Sequence, residues 1–141
     1  MTVELDTTTD FGARVKRRLG KELIGWLTTV GDDRTPQPSP VWFLWEDGRI
    51  LIYSQPDTPK LRNIARNPRV SLNLDGDGQG GDIVILTGEA AIDAAAPRAD
   101  AVPAYLAKYR TEIDGIGMDP RSFSEAYSVA VRMTPTKLRG H

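Results

Sequence analysis

Three prolines at alternate positions, in Pro36-Gln-Pro38-Ser-Pro40, constrain this chain more than any other feature. Each proline drives the residue before it out of the helical region, so the segment must run extended. In a strand, the backbone groups of residues i and i+2 point to the same edge. Pro36, Pro38 and Pro40 therefore strip amide donors from one edge, while Gln37, Ser39 and Val41 keep theirs on the other. Such a strand pairs on one side only. It belongs at a sheet edge, or beside a ligand that takes the place of the missing neighbour.

The segment continues into Val41-Trp-Phe-Leu-Trp45 and then Asp47-Gly48, the strongest hairpin signal in the sequence. With that dipeptide as the turn, Glu46 faces Arg49, Trp45 faces Ile50, Phe43 faces Ile52 and Trp42 faces Tyr53. The last two would form an aromatic pair, which taken alone reads as core or dimer packing. Upstream, Asp10 is the expected cap of a helix whose Phe11, Val15, Leu19 and Leu23 recur every four residues. Lys16, Arg17, Arg18 and Lys21 lie mostly off that stripe and read as a solvated basic face.

Leu23 to Val30 reads as a strand that ends at the turn Gly31-Asp32-Asp33. Val70, Leu72 and Leu74 alternate as another, and Ile83 to Ile92 as a long one. Pro97 to Arg110 is helix-prone with a kink or restart at Pro103, and Asp119-Pro120 caps a short helix near Phe123. Val129, Val131 and Met133 alternate in a final strand, with Pro135 to His141 as a tail. Six or seven strands joined mostly by hairpins, with a few short helices, predict a mainly β (α+β) antiparallel barrel forming one domain over residues 1–141.

Several chemistries drop out. The sequence has no cysteine and a single histidine, His141, so thiolate sites, a histidine triad and a multi-histidine metal site have no residues to use. A formal net charge of -1 argues against a nucleic-acid binder that works by neutralising phosphates. Met1-Thr-Val-Glu-Leu-Asp6 shows no secretory pattern, and no apolar run reaches membrane-spanning length, so a soluble cytoplasmic protein without a membrane partner is expected. Glu46, Asp47, Asp75, Asp77, Asp82, Glu89 and Asp93 sit mostly in turns and form no metal or acid–base pair. Gly76-Asp-Gly78-Gln-Gly-Gly81 matches a dinucleotide fingerprint in letters only: a β-branched run follows it, where that fingerprint needs a helix.

Thr58-Pro59-Lys60-Leu61 is more informative. Thr58 reads as an N-cap and Pro59 as the first helical residue, with Leu61, Ile64 and Ala65 on the buried face and Asn67-Pro68 as the stop. Free amides and the helix dipole favour an anion at such a start, and Lys60 in the first turn is disfavoured unless something negative is present. The pattern fits either a phosphate cradle or an ordinary capped helix.

The order of these features, from the proline strand through Ser39-Pro-Val-Trp-Phe43, Ile50-Leu-Ile-Tyr-Ser54, Thr58-Pro-Lys-Leu-Arg-Asn-Ile64 and Asn67-Pro-Arg-Val70 to Pro135-Thr-Lys-Leu-Arg139, resembles the pyridoxamine 5′-phosphate oxidase-like split β-barrel family, in its branch using the deazaflavin coenzyme F420. The resemblance implies a split barrel of the FMN-binding type. It also implies a homodimer with cofactor at the interface and a small-molecule substrate. By it, Lys60 and Thr58 would bind the cofactor phosphate with help from nearby amides, and Pro59 and Leu61 belong to the same cofactor-binding segment. Ser39, Pro40, Val41 and Trp42 would border the ring, Tyr53 and Ser54 would line the same groove, and Gln79 would reach the ring from the partner. FMN-using members commonly carry an arginine on the strand that is Val41 to Trp45 here, and this chain has none; Arg139 and His141 are only loose counterparts of their substrate-binding pair. That favours F420, with FMN as the alternative cofactor. The implied activity is hydride transfer to an electron-poor alkene or conjugated carbonyl, against FMN-dependent oxidation or non-catalytic cofactor binding. Tyr53 is one candidate proton donor, solvent the other.

Overall fold

The structure is a computed structural model that describes residues 2–141. The elements run α1 (Asp10–Lys21), β1 (Gly25–Val30), β2 (Pro36–Val41), β3 (Leu44–Glu46), β4 (Arg49–Ser54), α2 (Pro59–Arg66), β5 (Arg69–Asn73), β6 (Val84–Ile92), α3 (Pro103–Gly115), α4 (Pro120–Ala126) and β7 (Val129–Gly140), with a short 3₁₀ turn at Ala99–Ala101 before α3. All seven strands form one antiparallel sheet in the order β2-β1-β5-β6-β7-β4-β3.

The proline strand is an edge, as its chemistry requires. It pairs with β1 from Val30↔Pro36 to Gly25↔Val41 without a slip. Since prolines donate nothing, Gln37, Ser39 and Val41 carry the ladder, and the three proline nitrogens face outward. The other edge is β3. Only Trp42 and Phe43 separate the end of β2 from the start of β3, and so short a link reaches ~10 Å at most. The first and last strands of the sheet therefore lie side by side without pairing. The sheet has curled into a split barrel, with the split at Trp42-Phe43.

Side-chain alternation divides the apolar residues between the inside and outside of this barrel. On β4, Ile50 and Ile52 join the interior with Leu27, Phe43, Leu72, Leu86 and Met133. Leu51 and Tyr53 face outward into a second cluster with Tyr105, Tyr109, Ile113 and Phe123, supplied by α3 and α4. Helix α1 lays Val15 and Leu19 against the interior cluster, and α2 adds Leu61 and Ile64.

The hairpin register holds for Glu46↔Arg49 and Trp45↔Ile50, but the β3–β4 ladder ends at Leu44↔Leu51. Neither the Phe43–Ile52 nor the Trp42–Tyr53 pairing forms, because α3 takes the Phe43 main chain. The Tyr109 hydroxyl accepts from the Phe43 amide at 2.8 Å, and Lys108 Nζ donates to the Phe43 carbonyl at 2.8 Å. Three further expectations need correction. The first helix is capped by Thr9, whose hydroxyl accepts from the Gly12 amide, and it ends before Leu23, which is 39% exposed. Arg18 is not part of a solvated face: it pairs with Glu22 and Asp82 and donates to the Asp75 and Asp82 carbonyls, fixing the base of the 75–82 loop.

The tail from Pro135 is also not a tail. It continues β7 along β6 to Val84↔Gly140. A bulge between Thr87 and Gly88 absorbs the proline there. A Cβ on Gly88 would lie 2.1 Å from the Thr134 carbonyl oxygen, so the bulge needs glycine.

Candidate functional site

A cleft of about 260 Å³ opens along the split, between the edge strand β2 and the helices outside the barrel. Pro40, Val41 and Trp42 form one side, and Tyr53 and Ser54 from the end of β4 form the floor. Thr58 and Lys60 at the start of α2 close one end, while Ile116, Phe123 and Tyr127 from α3 and α4 close the other. The edge position of β2 creates this space, since no strand can bond to its proline side.

The aromatic end is tightly built. Trp42 stacks on Tyr109 at 4.9 Å between ring centroids and on Phe123 at 5.5 Å, and Phe123 stacks on Tyr127 at 4.5 Å. Tyr53 meets Tyr105 edge to face at 5.0 Å. The Tyr53 hydroxyl donates to the Pro97 carbonyl at 2.7 Å, and burial pushes its pKa up to about 12. Its proton is therefore both committed and hard to release.

At the polar end the Ser54 hydroxyl donates to the Gln55 carbonyl at 2.7 Å. Lys60 is half-buried, and burial pulls its ammonium pKa down. Among the described residues no carboxylate pairs with it. Thr58 sits at the N-cap, yet its hydroxyl makes no capping bond; it lies 3.1 Å from the Ser54 hydroxyl instead. Pro59 has no amide to satisfy, and the Leu61 and Arg62 amides reach the Thr58 carbonyl. Ser39 Oγ is buried without a hydrogen-bond partner among the described residues. The start of α2 thus places a cation and the Thr58 hydroxyl at this end of the cleft, with no carboxylate paired to the cation among the described residues.

Of the residues singled out from sequence, Pro40, Val41, Trp42, Tyr53, Ser54, Thr58 and Lys60 share this cleft. Ser39 and Pro59 line a smaller recess on the far side of Lys60. Leu61 points into the barrel interior at 6% exposure. Gln79 is exposed at the tip of the 75–82 loop, away from both recesses within this chain. Sequence reasoning missed Tyr105, Phe123 and Tyr127. Their signal was present as aromatic pairs four apart, Tyr105 with Tyr109 and Phe123 with Tyr127, which helical spacing sets on one face.

No group of three metal-ligating side chains occurs among the described residues, and no described helix is long and apolar enough to cross a membrane. The family model for pyridoxamine 5′-phosphate oxidase matches residues 11–141. The chain belongs to the pyridoxamine 5′-phosphate oxidase family. Solved structures similar to this family member include the conserved hypothetical protein Rv2991 of Mycobacterium tuberculosis, at 23% identity over 98% of this chain and 84% of that one, with a TM-score of 0.72. An F420 reductase is similar at 23% identity over 88% of this chain and 94% of its own, with a TM-score of 0.64. HutZ, the heme storage protein of Vibrio cholerae, shares 14% identity over 98% and 95% of the two chains, again at 0.64. At such identities the likeness is one of fold.

Proposed function

We propose that this chain is an F420-dependent reductase that works as a cytoplasmic homodimer and acts on electron-poor alkenes or conjugated carbonyls. The observation that carries the reading is Lys60: a half-buried cation with no carboxylate partner among the described residues, in one cleft with Ser54, Thr58 and flat aromatic groups. These residues fit a flavin-like cofactor with a phosphate at one end and a planar ring at the other. Bound reduced deazaflavin would supply a hydride from its C5. Lys60, Ser54 and Thr58 would hold the phosphate, and the ring would lie against the open edge of β2 at Pro40, Val41 and Trp42. The lack of arginine on Val41 to Trp45 supports F420 over FMN.

Trp42, Phe123 and Tyr127 would exclude water and align the acceptor carbon, so catalysis is mostly placement. With the Tyr53 proton committed to Pro97, the completing proton comes from solvent. Gln79 would complete the cleft from the partner subunit.

Fluorescence titration of the purified protein with oxidised F420 and, separately, FMN tests this directly, followed by turnover of a panel of unsaturated carbonyl compounds. Tight F420 binding that weakens about tenfold or more in Lys60→Ala is the expected result. Selective FMN binding would move the activity to flavin chemistry. F420 binding without turnover of any compound would make the protein a carrier.

A further inference from the structure

The Trp42-Phe43 link borders the cleft but belongs to no strand, so its backbone groups must be satisfied from outside the sheet. Helix α3 does this with two neighbouring residues. The Tyr109 hydroxyl accepts from the Phe43 amide. Its single proton is better placed for the Leu23 carbonyl at 2.7 Å than for the Phe43 carbonyl at 3.0 Å. The Phe43 carbonyl is thus left to Lys108, whose Nζ donates to it at 2.8 Å. The same ammonium donates at 3.2 Å to the Leu19 carbonyl, in the last turn of α1, where carbonyls lack partners within the helix. It also stands over the Phe43 ring, 3.8 Å from the centroid.

This surrounding is built for a cation. An ammonium has three hydrogens to aim at the two carbonyls and the ring face, whereas a neutral amine must turn a lone pair toward one of these electron-rich groups. No carboxylate pairs with Lys108 among the described residues. From the end of α1 the charge that faces it is Glu22, itself paired with Arg18. On α3 the Tyr109 ring lies 5.3 Å from Nζ, with its hydroxyl pKa pushed up by burial, and Glu112, one turn beyond Lys108, faces that hydroxyl.

We infer that Lys108 is a positioning residue for the cleft: its ammonium holds the Phe43 main chain between α1 and α3 and so fixes the Trp42 wall. That wall follows Phe43 directly, since Trp42 is its chain neighbour and stacks on Tyr109 and Phe123. The inference rests on the reductase reading for what the wall does to an acceptor, while the clamp itself stands on this chain's own bonds. Loss of the proton weakens both carbonyl bonds and the ring contact, and Trp42 loosens. Burial pulls the Lys108 pKa down to about 8, which sets where release occurs. Folding lowers this pKa from the ordinary 10.5, so the Lys108 contribution to unfolding free energy rises, rather than falls, as pH climbs from about 8. Release is therefore local, without a loss of global stability from this group.

Fluorine-labelled tryptophan tests the clamp in the free protein. Of the three tryptophan resonances, that of Trp42 is assigned by its absence in Trp42→Phe. It should titrate with a midpoint near pH 8. Lys108→Met, which keeps the stem and loses the charge, should hold the resonance at its high-pH position throughout. Lys108→Arg, which stays charged, should hold it at the low-pH position. Lys60→Ala should leave the titration in place, which separates Lys108 from the cation inside the cleft. A Trp42 resonance that stays still across this range, or that titrates equally in Lys108→Met, would overturn the inference. Should Lys108→Met fail to fold, Lys108→Arg decides alone: a titration that persists in it removes the clamp. At saturating cofactor, the KM for the acceptor should rise above pH 8 in the wild type and stay flat in Lys108→Arg. An equal rise in both would cut the link between clamp and acceptor. A protein that turns over no acceptor would sink the reductase reading alone, and the fluorine titration would still decide the clamp.

Discussion

Two helices of this chain begin with the same device and end up in opposite states. Both α2 and α4 have a cap residue followed by proline, Thr58-Pro59 and Asp119-Pro120. At α4 the device is closed. The Asp119 carboxylate accepts from the Ser122 amide at 2.8 Å, the Ser122 hydroxyl accepts from the Asp119 amide at 3.0 Å, and Arg121 pairs with Glu125 at 3.2 Å. At α2 it is open. The residue equivalent to Ser122 is Leu61, committed to the barrel interior, and the equivalent of Arg121 is Lys60, which pairs with no carboxylate among the described residues. A helix start that satisfies itself is scaffold. The other leaves Lys60 facing the cleft, paired with no carboxylate among the described residues.

The scaffold side should therefore respond to substitution in the free protein, and the open side only when ligand is present. The largest effect is expected at Tyr109. Its ring stacks on Trp42, and its hydroxyl donates toward the Leu23 carbonyl at 2.7 Å while accepting from the Phe43 amide, so one residue ties α3 across the split. Tyr109→Ala should lose about 3–5 kcal/mol of unfolding free energy in a denaturant titration. Tyr109→Phe keeps the ring but leaves the Phe43 amide without its acceptor, and should lose about 1–3 kcal/mol. A Tyr109→Phe protein as stable as the wild type would show that the split is held by packing alone.

At the open end, Lys60→Ala should leave the unfolding free energy within about 0.5 kcal/mol of wild type, because no partner is abandoned. Its effect belongs to binding, and binding should carry a pH signature. Burial lowers the Lys60 pKa below its ordinary 10.5. The ammonium is the form that holds an anion, so affinity is full at low pH and falls as pH rises through the lowered value. Lys60→Arg should keep the affinity flat over that range, since guanidinium does not titrate there. Affinities measured from pH 6 upward would check both statements. An identical decline in Lys60→Arg would assign the pH dependence to another group.

The same contrast explains what the sequence disclosed. The edge strand was legible because proline chemistry is local, and the hairpin register because Asp47-Gly48 sets its own turn. The start of α2 was legible for the same reason. The failures are tertiary. Trp42 and Phe43 read as a continuation of the hairpin, but the split and the Tyr109 hydroxyl, 66 residues away, take them out of the ladder. The closing residues read as a tail because Pro135 breaks a strand by rule. Only the bulge opposite Gly88 makes it tolerable, and nothing near Pro135 announces that bulge. The aromatic wall of the cleft was hidden in α3 and α4, whose directions depend on where the barrel leaves an opening.

The smallest effect is the sharpest test of the comparison. Replacing an N-cap threonine or aspartate with alanine ordinarily costs about 0.5–2 kcal/mol, because a helix amide loses its side-chain acceptor. Asp119→Ala should show that full cost, since both halves of its capping box disappear. Thr58→Ala should cost only a few tenths of a kcal/mol, since the Thr58 hydroxyl caps no amide and shares only an exchangeable contact with Ser54. Two parallel denaturant titrations of the free variants measure the difference. Equal losses would mean that Thr58 caps α2 in solution, and that the α2 start is as closed as that of α4. If Thr58→Ala is silent in the free protein but weakens anion binding, its hydroxyl serves the ligand rather than the helix.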